Sequence, residues 1–268
     1  MFGKTAMLSE QMVYPALSNG GLDGRAVCRN NKGPGDRGKE INYQTATGDG
    51  HVKKICIAFL LSALLPFHLY AACVEGDCRN GSGRLESEDG RVYEGWFKDG
   101  YLWGDGKLIL PDGLTYTGQF VRGKLNGIGT LESPDGRRYE GQFRDGVIDG
   151  QGILAADDFE YDGEFSLGRF HGQGTLVYAD GRRYEGEFRN NIIEGRGKLD
   201  YGDGTGFEGF FRNGRPHGQG VRMYIDGTRY EGIYIGDMRE GPGILELPDG
   251  TRYEGEFHDD LYLSLIHI

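Results

Sequence analysis

The patterns in this sequence that resemble catalytic motifs do not have the spacing that catalysis needs. Gly-x-Gly pairs recur along the chain, but no Gly-x-x-x-x-Gly-Lys-Ser/Thr loop is present, and a phosphate-binding loop occurs once, before a helix. The repeated region holds few serines, and none lies in a Gly-x-Ser-x-Gly frame: Ser82, Ser87, Ser133 and Ser166. The sequence therefore predicts no catalytic residue and no cofactor.

Acidic residues recur too regularly to form an acid–base pair. Glu94, Glu140 and Glu185 occupy the same place in successive copies of one motif. A general acid or base is a single group in a special environment, whereas these side chains are expected to form a solvated ladder. Four arginines precede such acids by two residues and are expected to pair with acids on the same strand face: Arg138, Arg183, Arg229 and Arg252.

The elements that carry these residues are defined by an internal repeat of 23 residues, with one copy of 22. Each copy has an aromatic residue, a glycine two positions later and a second aromatic four positions later. Side chains at i, i+2 and i+4 share one face of a strand, so these aromatic residues are the predicted repeat core. They are Tyr93 with Phe97, Tyr116 with Phe120, Tyr139 with Phe143, Tyr161 with Phe165, Tyr184 with Phe188, Phe207 with Phe211, Tyr230 with Tyr234, and Tyr253 with Phe257.

A second strand and a turn complete each copy. Gly-x-Gly is followed after two residues by leucine in most copies, which predicts a strand whose glycines leave room for a facing ring. Asp-Gly then precedes the next aromatic residue and is a strong hairpin-turn signal. The 22-residue copy has Asp157-Asp158-Phe159 instead, so an irregular connection is expected near Phe159.

Composition agrees with this architecture. Glycine accounts for 49 of 268 residues, and a glycine inside a helix costs about 1 kcal/mol relative to alanine, so helical folds are disfavoured. The combined motif, from about Cys78 to Phe257, resembles the MORN (membrane occupation and recognition nexus) repeat. The resemblance implies an all-β fold: an elongated, single-layer, twisted antiparallel sheet of successive β-hairpins. His171 and His217 lie where this family commonly has histidine, which implies a packing role, not a metal site.

The front of the chain has the pattern of an export signal. Lys53-Lys54 precede an apolar run over residues 55–65 that is shorter than the roughly 20 residues of a membrane span. We expect a signal peptide over residues 52–72, with a transmembrane anchor as the alternative. Residues 1–51 are then a disordered extension or upstream DNA read in frame before a start at Val52.

The array is expected to cover residues 73–262, with about eight repeats. Residues 263–268, Leu-Ser-Leu-Ile-His-Ile, match the in-frame translation of a sequencing-library adapter, the alternative being a natural apolar tail. If they are adapter, the array is cut before its natural end.

Two cysteines, Cys73 and Cys78, follow the signal directly. A small disulfide loop in an oxidising compartment is the first interpretation. Lipid attachment at Cys73 is the alternative, and a two-cysteine metal site is weaker because no histidine pair accompanies it. The Cys-x4-Cys lead-in also resembles that of exported bacterial MORN proteins.

The uneven distribution of charge along the chain limits the classes of partner that the protein is expected to bind. Residues 1–72 hold 8 Lys/Arg and 5 Asp/Glu, whereas residues 73–268 hold 22 and 36. An acidic body of net charge −14 repels nucleic acid and disfavours anionic membranes. The resemblance implies a non-enzymatic scaffold that contacts proteins or membranes. A protein partner, self-association or an envelope polymer in the periplasm or cell envelope is expected.

The alternative function is an accessory array of a larger enzyme. MORN arrays accompany plant phosphatidylinositol phosphate kinase domains and a SET methyltransferase domain, and neither catalytic domain is visible here.

Departures from the repeat indicate where a partner could bind. Trp96, Phe210 and Ile233 share a position that holds Gln or Glu in the other copies, and Ile235 follows on the same strand face. Arg222 replaces the usual leucine. These five residues form the candidate interaction patch, and scattered surface hydrophobic residues are the alternative.

Overall fold

The computed structural model describes residues 71–262, which form one antiparallel sheet and no helix. The predicted extension over 1–51, residues 52–70 of the predicted signal and residues 263–268 lie outside the described residues. Ala71 and Ala72, the last two residues of the predicted signal, begin the first strand. The prediction of an all-β, single-layer sheet of successive hairpins is confirmed.

Eighteen strands make up this part of the chain. In chain order they are β1 Ala71–Gly76, β2 Ser82–Ser87, β3 Val92–Lys98, β4 Tyr101–Ile109, β5 Thr115–Val121, β6 Lys124–Glu132, β7 Arg138–Arg144, β8 Val147–Ala155, β9 Phe159–Ser166, β10 Arg169–Tyr178, β11 Arg183–Arg189, β12 Ile192–Asp200, β13 Gly206–Arg212, β14 Arg215–Met223, β15 Arg229–Ile235, β16 Met238–Glu246, β17 Arg252–His258 and β18 Leu261–Tyr262.

Each strand pairs with its neighbours in the chain. The register repeats from hairpin to hairpin: Tyr184 lies opposite Leu199 and Gly186 opposite Gly197, and the ladder is interrupted by a bulge between Gly186 and Phe188. A bulge recurs at this level in the odd-to-even hairpins from β3–β4 to β15–β16, and an extra residue of this kind locally interrupts the ladder.

One face of the sheet is aromatic and buried, and the other is exposed and carries most of the polar side chains. In β11 the side chains of Tyr184 and Phe188 are 0% and 3% exposed, whereas Glu185 between them is exposed. Of the sixteen predicted core rings, all are buried except Tyr253, which is half-buried in the last repeat. The period-2 pattern therefore assigned the faces correctly. We call these the aromatic face and the outward face.

The bulge corrects one part of the predicted core geometry. The sequence pattern places the second ring of each repeat on the same regular strand as the first, but in the structure the ladder shifts register before it. The second ring is nevertheless buried, because it faces an apolar residue of the next strand. In the first four repeats these opposed pairs are Phe97 with Leu102, Phe120 with Leu125, Phe143 with Ile148, and Phe165 with Phe170.

The core rings form an unbroken row along the aromatic face. Each leading ring from Tyr93 to Tyr230 contacts the second ring of its own repeat and that of the next repeat, and Tyr253 contacts that of its own. The centroids are 4.9–5.4 Å apart and the planes are nearly perpendicular. Such edge-to-face pairs contribute about 0.5–1.5 kcal/mol each beyond the area they bury. Consecutive repeats are therefore joined by ring contacts as well as by backbone hydrogen bonds.

Glycine makes this row possible. The ring of Tyr161 lies along its strand and across β10, and its hydroxyl donates a hydrogen bond of 2.9 Å to the carbonyl of Glu164. A Cβ atom on Gly174 would lie 2.6 Å from Cε2 of that ring, too close for any side chain. The expectation that the paired glycines leave room for a ring is confirmed.

The Asp-Gly turns close the hairpins as predicted, with one shorter turn. Gly136 donates to the carbonyl of Ser133 at 3.0 Å and has φ +89°, which glycine adopts readily. In the 22-residue copy, Ala156 donates directly to the carbonyl of Phe159 at 2.8 Å, so the missing residue shortens the turn. Phe159 itself is buried and opens β9.

Candidate interaction surface

A recurring position on the outward face caps the bulges. In three repeats its side chain accepts a hydrogen bond from the middle residue of the next Gly-x-Gly: Gln142 from Gln151 (3.0 Å), Glu164 from Gln173 (3.2 Å) and Glu187 from Arg196 (2.9 Å). Gln and Glu are thus favoured here because the bulge leaves a backbone N–H without a ladder partner.

Three repeats have an apolar residue at this capping position. Trp96 and Phe210 are 58% and 40% exposed, and neither side chain has an oxygen that could accept the bond. Ile233 is half-buried, and the residue it would cap is Pro242, which has no N–H. The apolar side chain of Ile233 therefore leaves no backbone N–H without an acceptor. Trp96 and Phe210, by contrast, stand where a Gln or Glu side chain would accept a hydrogen bond from the bulge.

The structure brings three of the five candidate patch residues onto one outward surface. Phe210 lies on β13, and Ile233 and Ile235 lie on β15, two strands away. Ile235 is 52% exposed and pairs across the hairpin with Met238, which is 44% exposed. We call Phe210, Ile233, Ile235 and Met238 the apolar surface.

Trp96 does not belong to the apolar surface, because it lies on β3, ten strands from β13. Its neighbours are Lys98 and Trp103, which line a cavity of about 450 Å³ with it. The Lys98 ammonium lies 4.7 Å from the centre of the Trp103 ring.

Arg222 lies on the opposite face, so its place in the predicted patch is corrected. It pairs with Phe207 and Tyr230 across β13–β15, and such cross-strand partners share a face. Its guanidinium lies over the rings of Phe207 (5.7 Å) and Tyr234 (5.3 Å) and forms an ion pair with Asp237. Arg222 thus covers the aromatic row where the other repeats use leucine.

Sequence reasoning missed a second arginine of this kind. Arg239 lies 5.5 Å and 5.3 Å from the rings of Tyr230 and Phe257, and it forms an ion pair of 3.2 Å with Asp260. Its position holds Leu102 in the first repeat, and this change from leucine to arginine is the signal that could have revealed it.

A groove of about 710 Å³ crosses the outward face beside Phe210. His171 and His217, from β10 and β14, contribute to its wall, with Glu194 of β12 between them in the repeat order. Glu194 accepts a hydrogen bond of 3.0 Å from the backbone N–H of Asn213. Neither histidine belongs to a group of potential metal ligands in the described part of the chain.

Within residues 71–262, one group of three side chains has ligand atoms close enough together to hold a cation: Glu240, His258 and Asp259. The Nδ1 atom of His258 lies 2.9 Å from Oε1 of Glu240. This hydrogen bond and the negative charge of Glu240 raise the pKa of His258, and the same hydrogen bond lowers the pKa of Glu240. An exposed ion pair accounts for the arrangement.

Cys73 and Cys78 are joined by a disulfide, with their Cα atoms 5.8 Å apart. Cys73 belongs to β1, and Cys78 lies in the turn before β2.

The four arginines predicted to pair with acids do so at the Asp-Gly side of the sheet, at 2.6–3.3 Å: Arg138–Glu140, Arg183–Glu185, Arg229–Glu231 and Arg252–Glu254.

Two solved structures are similar to this chain at low sequence identity. One is the G-box domain of the microcephaly protein CPAP, for which a role in centriole elongation is suggested. The two sequences are 15% identical, the match covers 70% of this chain and 99% of that chain, and the TM-score is 0.44. The other is an inactive virginiamycin B lyase from Staphylococcus aureus, with 13% identity, 70% and 74% of the two chains and a TM-score of 0.16.

No curated protein sequence matches the chain. None of the residues from 71 to 262 forms a helix that is long and apolar enough to cross a bilayer.

The family comparison is decisive. The MORN repeat model matches eight consecutive segments: 93–115, 116–137, 139–157, 161–182, 184–206, 207–229, 230–252 and 253–262. These matches begin at the leading aromatic residues and cover more than half of the 268 residues. The chain belongs to the MORN repeat family.

Proposed function

We propose that this MORN-repeat protein is a non-enzymatic scaffold of the bacterial cell envelope, and that the apolar surface binds a protein partner or a second copy of the chain. MORN repeats are a scaffold or binding architecture. The observation that carries the proposal is the exposure of Phe210, Ile235 and Met238 on neighbouring strands of the outward face. Apolar groups gathered on a polar face mark contact sites more often than scattered ones do.

The proposal assigns no reaction to the array. Two outward-face carboxylates in successive repeats, Glu164 and Glu187, accept hydrogen bonds from the backbone. Others pair with arginine, as Glu185 does. This repetition supports a structural use of the polar face and binding at the places where the repetition fails.

The first test compares the wild-type protein with a double variant that combines Phe210→Ser with Ile233→Ser. We expect self-association in sedimentation velocity, or recovery of a partner from envelope extract, that persists at high salt, because exposed charges are screened beyond about 10 Å at 0.1 M salt whereas apolar contact is not. The double variant should lose it. Ile128→Ser with Ile153→Ser, which removes two exposed isoleucines elsewhere, is the matched control.

Identical monomeric profiles for wild type and double variant would leave partner binding as the remaining branch. Unchanged recovery from envelope extract with the double variant would then refute the proposed role of the apolar surface.

Export is the second part of the proposal. Lys53-Lys54 with the apolar run, and the Cys73–Cys78 disulfide, both suit secretion, because disulfides persist in oxidising compartments. Protein expressed from Val52 should be cleaved by signal peptidase near Ala71–Cys73. The mature protein would keep the β1–β2 residue pairs from Cys73 onward. Mass spectrometry that finds an intact N-terminus on cytosolic protein would contradict this.

A further inference from the structure

The arginines of the sheet divide into paired and unpaired groups by location. Those at the Asp-Gly side of the sheet have a carboxylate within 4 Å, as in Arg137–Asp135 and Arg182–Asp180. A second group forms no ion pair with any residue between 71 and 262 and is exposed on the outward face of β10–β14. Its members are Arg169, Arg189, Arg196, Arg212 and Arg215.

The turns beside two of these arginines, Arg189 and Arg212, carry no carboxylate. From β3 onward, each odd-to-even hairpin turns through a residue with positive φ, a conformation that Asn and Asp adopt more readily than other side chains. Asp99 and Asp145 fill this position in earlier repeats, at φ 53° and 51°, but Asn190 and Asn213 fill it beside the unpaired arginines, at φ 51° in both. The backbone is the same, so the change from Asp to Asn removes an acid without changing the turn.

The nearby acids are engaged elsewhere. Glu187 and Glu194 line the groove, but each accepts a hydrogen bond from a backbone N–H, of Arg196 and Asn213 respectively. The unpaired guanidinium groups are therefore open to a ligand, and two of them, Arg189 and Arg212, line the same groove.

The groove also offers an aromatic contact. Phe210 lines it, with the Arg196 guanidinium 4.9 Å from the ring centre. Phe210 at the same time begins the apolar surface that continues to Ile235 and Met238 on β15 and β16. The outward face of β10–β16 is thus basic at one end and apolar at the other.

We propose that this face of β10–β16 binds an extended segment of a partner protein that has acidic residues followed by apolar residues. The inference rests on the proposed binding function and names the chemistry of the partner. Strands lie about 4.8 Å apart, so β10 to β16 spans about 29 Å, which an extended peptide covers with about nine residues. About six of these lie against the arginines of β10–β14, and about three lie against β15–β16.

Charge and shape select an acidic peptide over a membrane. The array is acidic overall, with 22 Lys/Arg and 36 Asp/Glu in residues 73–268. An anionic bilayer is a broad surface, so it would be repelled by the net negative charge of the whole array. A narrow segment in the groove meets only the local arginines, and its apolar end meets side chains that a headgroup layer would not match.

The test uses the full chain and a fluorescein-labelled peptide of six alternating Glu and Asp residues followed by three Leu residues. We expect saturable binding by fluorescence anisotropy. Arg189→Gln with Arg212→Gln should weaken it roughly tenfold, since each exposed charge pair contributes up to about 1 kcal/mol. Arg138→Gln with Arg252→Gln, which removes two arginines that are paired with glutamate and lie outside β10–β16, should leave the affinity unchanged.

Two further measurements separate the contributions. Replacing the acidic residues of the peptide by Gln should abolish the salt dependence of its affinity. Asn190→Asp with Asn213→Asp should weaken peptide binding, because it adds carboxylates beside the arginines without altering the turns. Equal affinity of wild type and the variant with Arg189→Gln and Arg212→Gln would overturn the proposal. So would binding to phosphatidylserine vesicles without binding to the peptide.

Failure of this inference is distinguishable from failure of the proposed function. If the peptide does not bind but Phe210→Ser with Ile233→Ser still abolishes self-association or partner recovery, the apolar surface stands and the acidic segment is wrong.

Discussion

At the scale of single residues, the array depends on the alternation of buried and exposed positions within one short strand. Phe188 is 3% exposed and contacts the rings of Tyr161 and Tyr184, whereas Glu185 on the same strand is exposed and pairs with Arg183. The two residues are three positions apart, and strand geometry alone separates their roles.

Substitution of these two residues should therefore have very different effects on stability. Phe188→Ala removes a buried ring and its two edge-to-face contacts with tyrosine, and it should lower the free energy of unfolding by about 3–5 kcal/mol. Glu185→Ala removes an exposed ion pair and should change it by less than about 0.5 kcal/mol. Denaturant unfolding followed by circular dichroism measures both, and comparable losses would contradict the assignment of faces.

At the scale of the strand and hairpin, most of the fold could be predicted from sequence because each repeat contains the residues that form its own two strands and its own turn. Ring, glycine and turn recur at fixed spacing, so one copy predicts the others. What could not be predicted depends on contacts between repeats: the pairing of Arg222 with Asp237, 15 positions away, and the place of Arg239 over two rings of neighbouring hairpins. A period-2 pattern assigns a face, but it does not reveal that arginine can replace leucine there by stacking on aromatic rings.

The bulge is the second feature that sequence did not reveal. From sequence alone, the capping position holds Gln or Glu in five copies and an apolar residue in three, and those three are predicted to belong to an interaction patch. The structure shows a hydrogen bond from the bulge N–H to that side chain, so that Ile233 opposite Pro242 needs no cap whereas Phe210 displaces one. Of the three residues that looked equivalent in the repeat, Phe210 therefore stands out as the one both uncapped and adjacent to further exposed apolar side chains.

At the scale of the whole array, the tyrosines tie stability to pH. Burial raises the pKa of five leading tyrosines well above the ordinary value of about 10 and raises that of Tyr230 to about 12. The five are Tyr93, Tyr116, Tyr139, Tyr161 and Tyr184. Their hydroxyls donate to backbone carbonyls, as Tyr184 does to Glu187 at 3.1 Å, and a phenolate has no proton to donate. The folded array therefore holds these protons more tightly than the unfolded chain.

This sign fixes the direction of the pH dependence. Because the folded pKa lies above the unfolded pKa, the stabilisation is fully present below pH of about 10 and is lost as pH rises toward about 12. Since each core ring contacts two neighbours along one row, ionisation at one repeat weakens the next, and the loss should be cooperative.

Absorbance of tyrosinate, recorded together with far-ultraviolet circular dichroism, tests this prediction. The buried leading tyrosines should ionise in a late phase above pH of about 10, together with loss of the sheet signal. In guanidinium chloride all tyrosines should titrate in one phase. Tyr184→Phe is the matched variant, because Phe207 already serves as a leading ring without a hydroxyl, and it should reduce the late phase by one tyrosine. If instead every tyrosine ionised near pH of about 10 while the sheet signal persisted, the row of rings would not be the buried core described here.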